Sequence, residues 1–269
     1  MIVSGPPTLT TPALGSLLGS ATAAPQHVLI PTTYTWLMVL GMAVGVAYSW
    51  WRVKRGGDSR LVWLAFAALV GCAAGAKLSF VIAEGWHYRT NMLGLLSGKS
   101  ILGGLLGGYA AVEFVKRAMR DARPSGDHFA VVVPIGLTLG RVGCLTQGCC
   151  RGMVCEKAHW FTREVVVGVP RVAAAEIEVV FHAVACAAAV FTQMLMARTE
   201  SRWARTLRGN LFHVYLMAYG VLRLILESGR ENSRWFGAVT GYHFMAAAVL
   251  LLGLVGFVMR ARRNTASAL

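Results

Sequence analysis

The segment GRVGCLTQGCCRG, residues 140–152, places an arginine, three cysteines and several glycines at the end of a strongly apolar stretch. The surroundings of this segment follow from the composition of the whole chain, which is 56% hydrophobic and only 14% charged. Soluble domains usually contain roughly 25% charged residues. The composition therefore predicts an integral membrane protein, in which this segment lies where an apolar stretch reaches the membrane surface.

Seven apolar stretches are close to or above the roughly 17 residues that a membrane-spanning helix needs. They predict an all-α fold, a bundle of seven transmembrane helices within a single domain over residues 31–269. Residues 1–30 contain no lysine or arginine, so they lack the basic start of a signal peptide and are interpreted as a short extracytoplasmic arm. The stretches are 34–51, 61–84, 100–115, 128–147, 175–197, 210–228 and 239–259.

The distribution of basic residues predicts the orientation in the membrane. Fifteen lysines and arginines lie in the segments that follow the first, third, fifth and seventh stretches, against eight on the opposite side. The positive-inside rule assigns the more basic side to the cytoplasm, which puts the N-terminus outside and the C-terminus in the cytoplasm. The net charge of +14 is then a topology signal. Membrane lipids with anionic headgroups are the expected partners of these residues, and nucleic acid is not.

Ionisable residues inside the predicted helices converge on the outer side of the membrane. Arg141, Glu178, Arg223 and Glu227 fall in the outer parts of their helices, and Tyr34 begins the first helix there. A charge in hydrocarbon costs at least about 2.5–3.5 kcal/mol, so such residues face a bundle interior or a watery cavity. Two arginines beside carboxylates predict a site for an anion that enters from the outer leaflet.

The alternative is that Arg141 and Arg223 only form ion pairs with Glu178 and Glu227 and thereby hold helices together. Arg223 and Glu227 are four residues apart, the spacing of a pair on one helical face. A pair of this kind also orients a guanidinium group without using all five of its donors.

The glycines of LGGLLGGY, residues 102–109, also have two interpretations. Gly103 with Gly107, and Gly104 with Gly108, have the spacing by which helices pack closely in lipid. The functional alternative is that the missing side chains let a phospholipid headgroup approach the backbone.

Four cysteines lie at the outer end of the fourth stretch: Cys144, Cys149, Cys150 and Cys155. An oxidising outer face favours structural disulfides. Alternatively, Arg141 or Arg151 stabilises a reactive thiolate. A metal site is disfavoured, because the spacing lacks a CxxC and no nearby histidine completes a zinc set. The last alternative is that the thiols are inert.

Four segments, which follow one another along the chain in the same order as in the family, resemble the prolipoprotein diacylglyceryl transferases. GRVGCLTQGCCRG resembles the family signature, and the preceding DHFAVVVPIGLTLGR (127–141) fits its approach to that signature. The other three segments are YTWLMVLG (34–41), SILGGLLGG (100–108) and YGVLRLILESGRE (219–231). The seven-helix architecture of the family, with its N-terminus outside, agrees with the orientation predicted from charge.

The resemblance implies transfer of a diacylglyceryl group from phosphatidylglycerol to the lipobox cysteine of an exported prolipoprotein. The reaction takes place at the outer face of the bacterial plasma (inner) membrane and implies no cofactor and no metal. A thiolate attacks the glyceryl carbon and glycerol phosphate leaves. Positive groups stabilise the departing phosphate, and arginine suits this role because its planar fork binds phosphate bidentately.

Residue roles are implied position by position. Arg141 and Arg223 hold the phosphate, and Glu178 is the counterpart of the glutamate that opens the fifth helix of the family. The remaining candidate substrate-binding residues are Tyr34, Gly103, Gly104, Cys144, Gln147, Gly148, Gly152, Glu227 and Arg230.

The sequence departs from the family pattern at five positions. Leu102 replaces a histidine and cannot accept a proton. We therefore expect the two arginines to favour the attacking thiolate, with Glu178 or a clustered cysteine as the proton acceptor. The other four departures replace two asparagines, a glutamate and an arginine, and they are Cys144, Gln147, Cys149 and Met153.

Two alternative functions follow from the same residues. The first is a membrane thiol–disulfide or quinone-linked redox protein that uses the Cys144–Cys155 cluster. That interpretation leaves the two arginines and the glycine motif unexplained. The second is a transferase-fold protein that acts on a different lipid or thiol acceptor.

Overall fold

The helices follow the apolar stretches closely. The computed structural model describes residues 33–55, 58–88, 94, 98–148, 152–155, 162–166 and 169–266. Within these ranges there are eight α-helices, and the seven that have 17 residues or more coincide with the seven predicted stretches. They are α1 (Thr33–Lys54), α2 (Arg60–Glu84), α3 (Ile101–Ala118), α4 (Gly126–Thr146), α5 (Ala174–Met196), the short α6 (Arg202–Leu207), α7 (Leu211–Glu227) and α8 (Gly241–Ala266).

Five of these helices are long and apolar enough to cross a membrane: α1, α2, α4, α5 and α8. The two other long helices differ for simple reasons. α3 contains Glu113, Lys116 and Arg117 near its end, and α7 has only 17 residues. The fold is therefore that of a mostly helical, multi-pass membrane protein. The predicted arm, residues 1–30, lies outside the described residues.

Two short antiparallel hairpins connect helices, which the prediction of a purely α-helical fold did not include. β1 (Thr162–Val166) pairs with β2 (Val169–Val172) before α5, and β3 (Arg234–Phe236) pairs with β4 (Val239–Thr240) before α8. The first hairpin is rich in valine, which favours extended backbone. A 3₁₀ turn, Gly85–Tyr88, follows α2.

Glycines set the closest helix contact, which is between α2 and α3. A Cβ atom placed on Gly103 would lie 2.5 Å from the carbonyl oxygen of Gly75, and one on Gly71 would lie 2.5 Å from that of Gly107. Because only glycine permits this approach, the packing interpretation of the glycine motif accounts for Gly103. The other principal contacts join α4 to α1 and α5, and α7 to α8.

Large aromatic side chains point away from the bundle. Trp63, Phe66, Phe114 and Phe191 each expose more than 60% of their surface. A soluble monomer rarely exposes contiguous apolar surface on this scale, whereas a helix in lipid needs it. This surface supports the membrane assignment independently of helix length.

The basic end of the bundle carries an ion-pair network of its own. Arg60, at the start of α2, bonds both Asp58 and Asp121, and Asp121 also accepts from Arg123. Burial raises the pKa of the Asp121 carboxyl, but hydrogen bonds from Arg123 and Arg60 outweigh burial and lower that pKa to about 2. The network therefore ties the start of α2 to the loop between α3 and α4.

We expect Asp121→Asn to lower the stability of the protein by about 1–3 kcal/mol at neutral pH, because the buried Arg60 loses a charged partner. A lowered pKa means that the contribution of Asp121 is complete above its unfolded value, near pH 4, and is lost as the pH falls through about 2. Melting curves in detergent, recorded between pH 7 and pH 2, measure this difference.

Glu200→Gln is the matched control, because Glu200 pairs with Arg208 while 77% of its side chain is exposed. Exposed pairs contribute little, so its melting temperature should stay near that of the wild type. An Asp121→Asn variant as stable as Glu200→Gln at pH 7 would contradict the assigned role of the network.

Candidate active site

Glu178 is the centre of a buried polar cluster at one end of the bundle. It lies in the second turn of α5 and is fully buried. Its Oε2 accepts from Arg141 Nε at 2.7 Å and from the Tyr219 hydroxyl at 2.9 Å. Its Oε1 accepts from Arg223 Nη1 at 2.9 Å and from Arg230 Nη2 at 2.7 Å. One carboxylate therefore joins α4, α5, α7 and the segment that follows α7.

Glu227 is the second carboxylate of the cluster and is also buried. Its Oε2 accepts from Arg223 Nη2 at 2.8 Å, which confirms the predicted pair four residues apart on α7. Its Oε1 accepts from Asn232 Nδ2 and, at 3.1 Å, from the Thr240 hydroxyl. These bonds fold the segment between α7 and α8 back onto the end of α7.

Short backbone pairings hold the loops beside the cluster. Gly152 forms an antiparallel bridge with Arg230, and its carbonyl oxygen accepts from Arg171 Nη1 at 3.0 Å. Arg171 also pairs with Glu231 at 3.0 Å. A Cβ on Gly152 would collide with the backbone of Val172, so a glycine is needed there. The predicted site residues Gly152 and Arg230 are thus neighbours.

Tyr34 packs against the end of α4 that contains Cys144. A Cβ on Gly143 would lie 2.9 Å from the ring of Tyr34, so α1 packs closely on α4 at this point. The Nη1 of Arg141 lies 3.9 Å from the buried Cys144 sulfur, at the limit of a weak hydrogen bond.

The remaining predicted residues are more peripheral. Gln147 is exposed, and Gly148 follows it with φ of +61°, a conformation that suits glycine where a helix ends. Gly103 and Gly104 face α2, where Gly104 contacts Cys72. Their predicted role in headgroup binding stays a prediction, and so does that of Gln147. Leu102 is 1% exposed in the first turn of α3.

The cysteine cluster is only partly described. Cys155 has a free thiol, so it does not support the disulfide interpretation. Cys149, Cys150 and Arg151 lie outside the described residues. Among the residues that the structure describes, no group of three or more histidine, cysteine or acidic residues could hold a metal ion.

The charges of the cluster do not balance. Among the described residues, the ion pairs join three guanidinium groups, those of Arg141, Arg223 and Arg230, to two carboxylates, those of Glu178 and Glu227. Within the described residues, the Nε of Arg223 is buried and has no hydrogen-bond partner. A surplus positive charge among buried groups is costly unless a negative charge joins it. The arrangement therefore suits one monovalent anion.

The arginines have features of both predicted roles, as ion pairs between helices and as an anion site. The predicted ion pairs between helices exist, with Arg141 Nη2 only 2.5 Å from Glu178 Oε2. Among the described residues, however, these pairs leave one positive charge without a matching carboxylate. The surplus charge and the unpartnered nitrogen of Arg223 are features that helix packing does not explain.

Four residues near the cluster were not predicted. Tyr219 lies four residues before Arg223, and His182 lies four residues after Glu178, so helical spacing was a usable signal for both. Asn232 and Thr240 lie in the segment between α7 and α8, where no periodic pattern marks them.

The fold and the site define a polytopic helical membrane protein with a cationic cluster buried at one end of its bundle. Residues 27–259 match the family described as prolipoprotein diacylglyceryl transferase. The match covers most of the chain, and the chain belongs to this family.

Three relatives, each named phosphatidylglycerol–prolipoprotein diacylglyceryl transferase, have similar sequences. The protein from Dehalococcoides mccartyi is 26% identical over 251 residues, which cover 88% of this chain and 92% of the relative. That from Legionella pneumophila is 25% identical and covers 82% of this chain and 89% of the relative. That from Geobacter sulfurreducens is 27% identical over 74% of this chain and 77% of the relative.

Proposed function

We propose that this protein transfers the diacylglyceryl group of phosphatidylglycerol to the lipobox cysteine thiol of prolipoproteins. The observation that carries the proposal is the unbalanced cluster of Arg141, Arg223 and Arg230 around Glu178 and Glu227, in a chain of this family. The redox alternative gains no support from the family or from the free thiol of Cys155.

The charge of the donor matches the surplus of the cluster. The phosphodiester of phosphatidylglycerol carries one negative charge, and its glycerol headgroup is neutral. Binding this group beside Arg141 and Arg223 neutralises the cluster while the glutamates keep both guanidinium planes fixed. Preorganised donors of this kind lose little free energy when the substrate binds.

The same arginines act on the reaction itself. The acceptor thiolate attacks the glyceryl carbon, a carbon–sulfur bond forms, and the carbon–oxygen bond to phosphate breaks with its electron pair on the phosphate. The negative charge of the phosphate grows during this step. Arg141 and Arg223, each fixed by a buried carboxylate, interact more strongly with the growing charge than with the diester and so stabilise the transition state.

We place all seven long helices across the bacterial plasma (inner) membrane, with the N-terminus outside and the C-terminus in the cytoplasm. The distribution of basic residues supports this orientation. It puts the ends of α4 and α7 and the start of α5, where the cluster lies, at the outer leaflet. α7 is about 26 Å long at 1.5 Å per residue, close to the roughly 30 Å of the hydrocarbon core. Residues 1–30 form the extracytoplasmic arm and residues 31–269 the transferase domain.

The test is direct transfer by the purified full-length protein. We expect a lipobox peptide, incubated with the protein and phosphatidylglycerol vesicles, to gain the mass of one diacylglyceryl group at its cysteine. Vesicles of phosphatidylcholine and a peptide with serine in place of cysteine are the negative controls. An unmodified peptide in the presence of folded wild-type protein would overturn the proposed function.

Two variants separate transfer from redox chemistry. A variant with serine at Cys149, Cys150 and Cys155 should keep transfer activity, because the surplus charge resides on the arginines. Arg141→Ala should lose transfer activity. The opposite result, with transfer lost only in the cysteine variant, would favour the thiol-dependent alternative.

A further inference from the structure

His182 is a buried histidine that the reaction described above does not use. It lies on α5, one turn after Glu178, and is fully buried. Its Nδ1 is 3.0 Å from the hydroxyl of Tyr215. Within the described residues its Nε2 has no hydrogen-bond partner. A buried polar atom without a partner costs free energy, so its presence beside a reactive cluster needs an explanation.

The ring of His182 is held by aromatic neighbours that connect it to the cluster. It contacts the ring of Tyr219 with 4.8 Å between ring centres and that of Phe181 with 5.3 Å. Tyr219 donates its hydroxyl hydrogen to Glu178. His182 therefore packs against a side chain that touches the carboxylate holding all three arginines.

The change in charge during the reaction shows that the cluster needs a proton acceptor. The donor brings one negative charge to a cluster with one surplus positive charge. After transfer, the phosphate monoester carries up to two negative charges, and the thiol has released one proton. If that proton stays beside the cluster on a neutral base, the positive charge rises to two and again matches the phosphate. Leu102 offers no base, because its side chain is aliphatic.

We propose that Nε2 of His182 accepts the proton of the acceptor thiol, an inference that rests on the proposed transferase function. The thiol loses its proton to Nε2, the thiolate forms its bond to the glyceryl carbon, and the bonding pair of the carbon–oxygen bond leaves with the phosphate. The imidazolium then passes its proton to the solvent or to the departing phosphate. For this step Nδ1 carries the resting hydrogen and donates it to the Tyr215 oxygen.

Charged and titratable groups face His182 from three helices. Burial disfavours a positive charge on the ring, and Glu178 on the same helix favours it. Arg141 from α4 and Arg223 from α7 oppose it, and Tyr215 and Tyr219 from α7 contact the ring. A phosphate that gains negative charge beside the two arginines offsets their repulsion. The acceptor strength of His182 thus rises when the leaving group becomes charged.

The test compares His182→Gln with the wild type in the phosphatidylglycerol and lipobox peptide assay. Loss of a general base lowers kcat by about 10²–10⁴-fold. We expect a loss of that size with little change in KM for phosphatidylglycerol, because the arginines that bind phosphate are retained. The wild type should lose activity as the pH falls and His182 becomes protonated, and the variant should lack this dependence.

His128→Gln is the matched control for the cost of an unpartnered buried nitrogen. His128 is 5% exposed, lies in the first turn of α4 beside Ser49, and also has one ring nitrogen without a partner among the described residues. It is far along α4 from Arg141, so its variant should keep the wild-type kcat and pH dependence. Equal losses in the two variants would mean that His182 is only structural and would overturn the proposal.

Tyr215→Phe tests the proposed proton transfer to His182 while the histidine is kept. It keeps the aromatic packing but removes the oxygen that fixes Nδ1, so the acid side of the pH profile should shift and kcat should fall. An unchanged profile in this variant, or a His182→Gln variant with more than a tenth of the wild-type kcat, would overturn the role of His182. A wild type that transfers nothing would instead overturn the proposed function.

Discussion

Replacing either Arg141 or Arg223 by lysine is expected to lower kcat for diacylglyceryl transfer by about 10²–10³-fold, the cost of removing one preorganised donor to a developing anion. Arg141 uses Nε and Nη2 on Glu178 and directs Nη1 toward the Cys144 sulfur. Arg223 spans two carboxylates, with Nη1 on Glu178 and Nη2 on Glu227.

Lysine keeps the positive charge but cannot reproduce this geometry. Its single nitrogen cannot bind a carboxylate and a phosphate in the fixed directions of a guanidinium fork. At position 223 it could reach Glu178 or Glu227 but could not hold both in their observed places. The loss should therefore appear mainly in kcat, because the directional donors are needed most when negative charge grows on the phosphate.

The measurement is kcat and KM for phosphatidylglycerol in purified variants that melt within a few degrees of the wild type. Arg208→Lys is the matched control, since Arg208 lies between α6 and α7 with 41% of its side chain exposed. It should keep full activity. If Arg141→Lys and Arg223→Lys keep more than a third of the wild-type kcat, positive charge alone is enough for transfer, and the proposed bidentate binding of phosphate by the two arginines is wrong.

The positions of the helices could be predicted because a membrane span imposes its length on the sequence. Seven apolar stretches matched the seven long helices to within a turn or two. Five of these helices are long and apolar enough to cross a membrane; α3 has charged residues near its end and α7 is short. The hairpins were missed, because β3 and β4 are too short to produce an alternating pattern.

The candidate site was predicted in part. Arg141, Arg223 and Glu227 stand out because a charge in an apolar stretch needs a reason, and the Arg223–Glu227 pair follows from helical spacing. Sequence could not show that one carboxylate, Glu178, binds three arginines, because that depends on how α4, α5 and α7 are rotated about their axes. For the same reason, the sequence could not decide whether the glycines of α3 serve helix packing or headgroup binding.

Glu178→Gln is expected to have the largest combined effect on stability and activity. The substitution preserves shape but removes the negative charge that Arg141, Arg223 and Arg230 share. Three positive charges would then face one carboxylate. Breaking a buried ion pair by removing one partner costs about 3–5 kcal/mol. At roughly 2–4 °C per kcal/mol, the melting temperature should fall by about 6–20 °C.

The variant also separates an anion site from a purely structural cluster. With two surplus positive charges instead of one, the arginines of Glu178→Gln should attract anions more strongly than those of the wild type. Added inorganic phosphate should therefore restore part of the lost melting temperature in the variant, by the stabilisation that any ligand of the folded state provides. Transfer activity should stay low, because bound phosphate competes with phosphatidylglycerol and the guanidinium groups are no longer held in place.

Glu113→Gln is the control for this comparison, since Glu113 pairs with Lys116 near the end of α3 and is partly exposed. Its melting temperature should change little, and phosphate should affect it as it affects the wild type. If Glu178→Gln melts like the wild type, Glu178 is not the residue that holds the arginines. If it is destabilised but phosphate gives it no more protection than Glu113→Gln, the arginines only join helices, and the charge argument for a phospholipid donor fails.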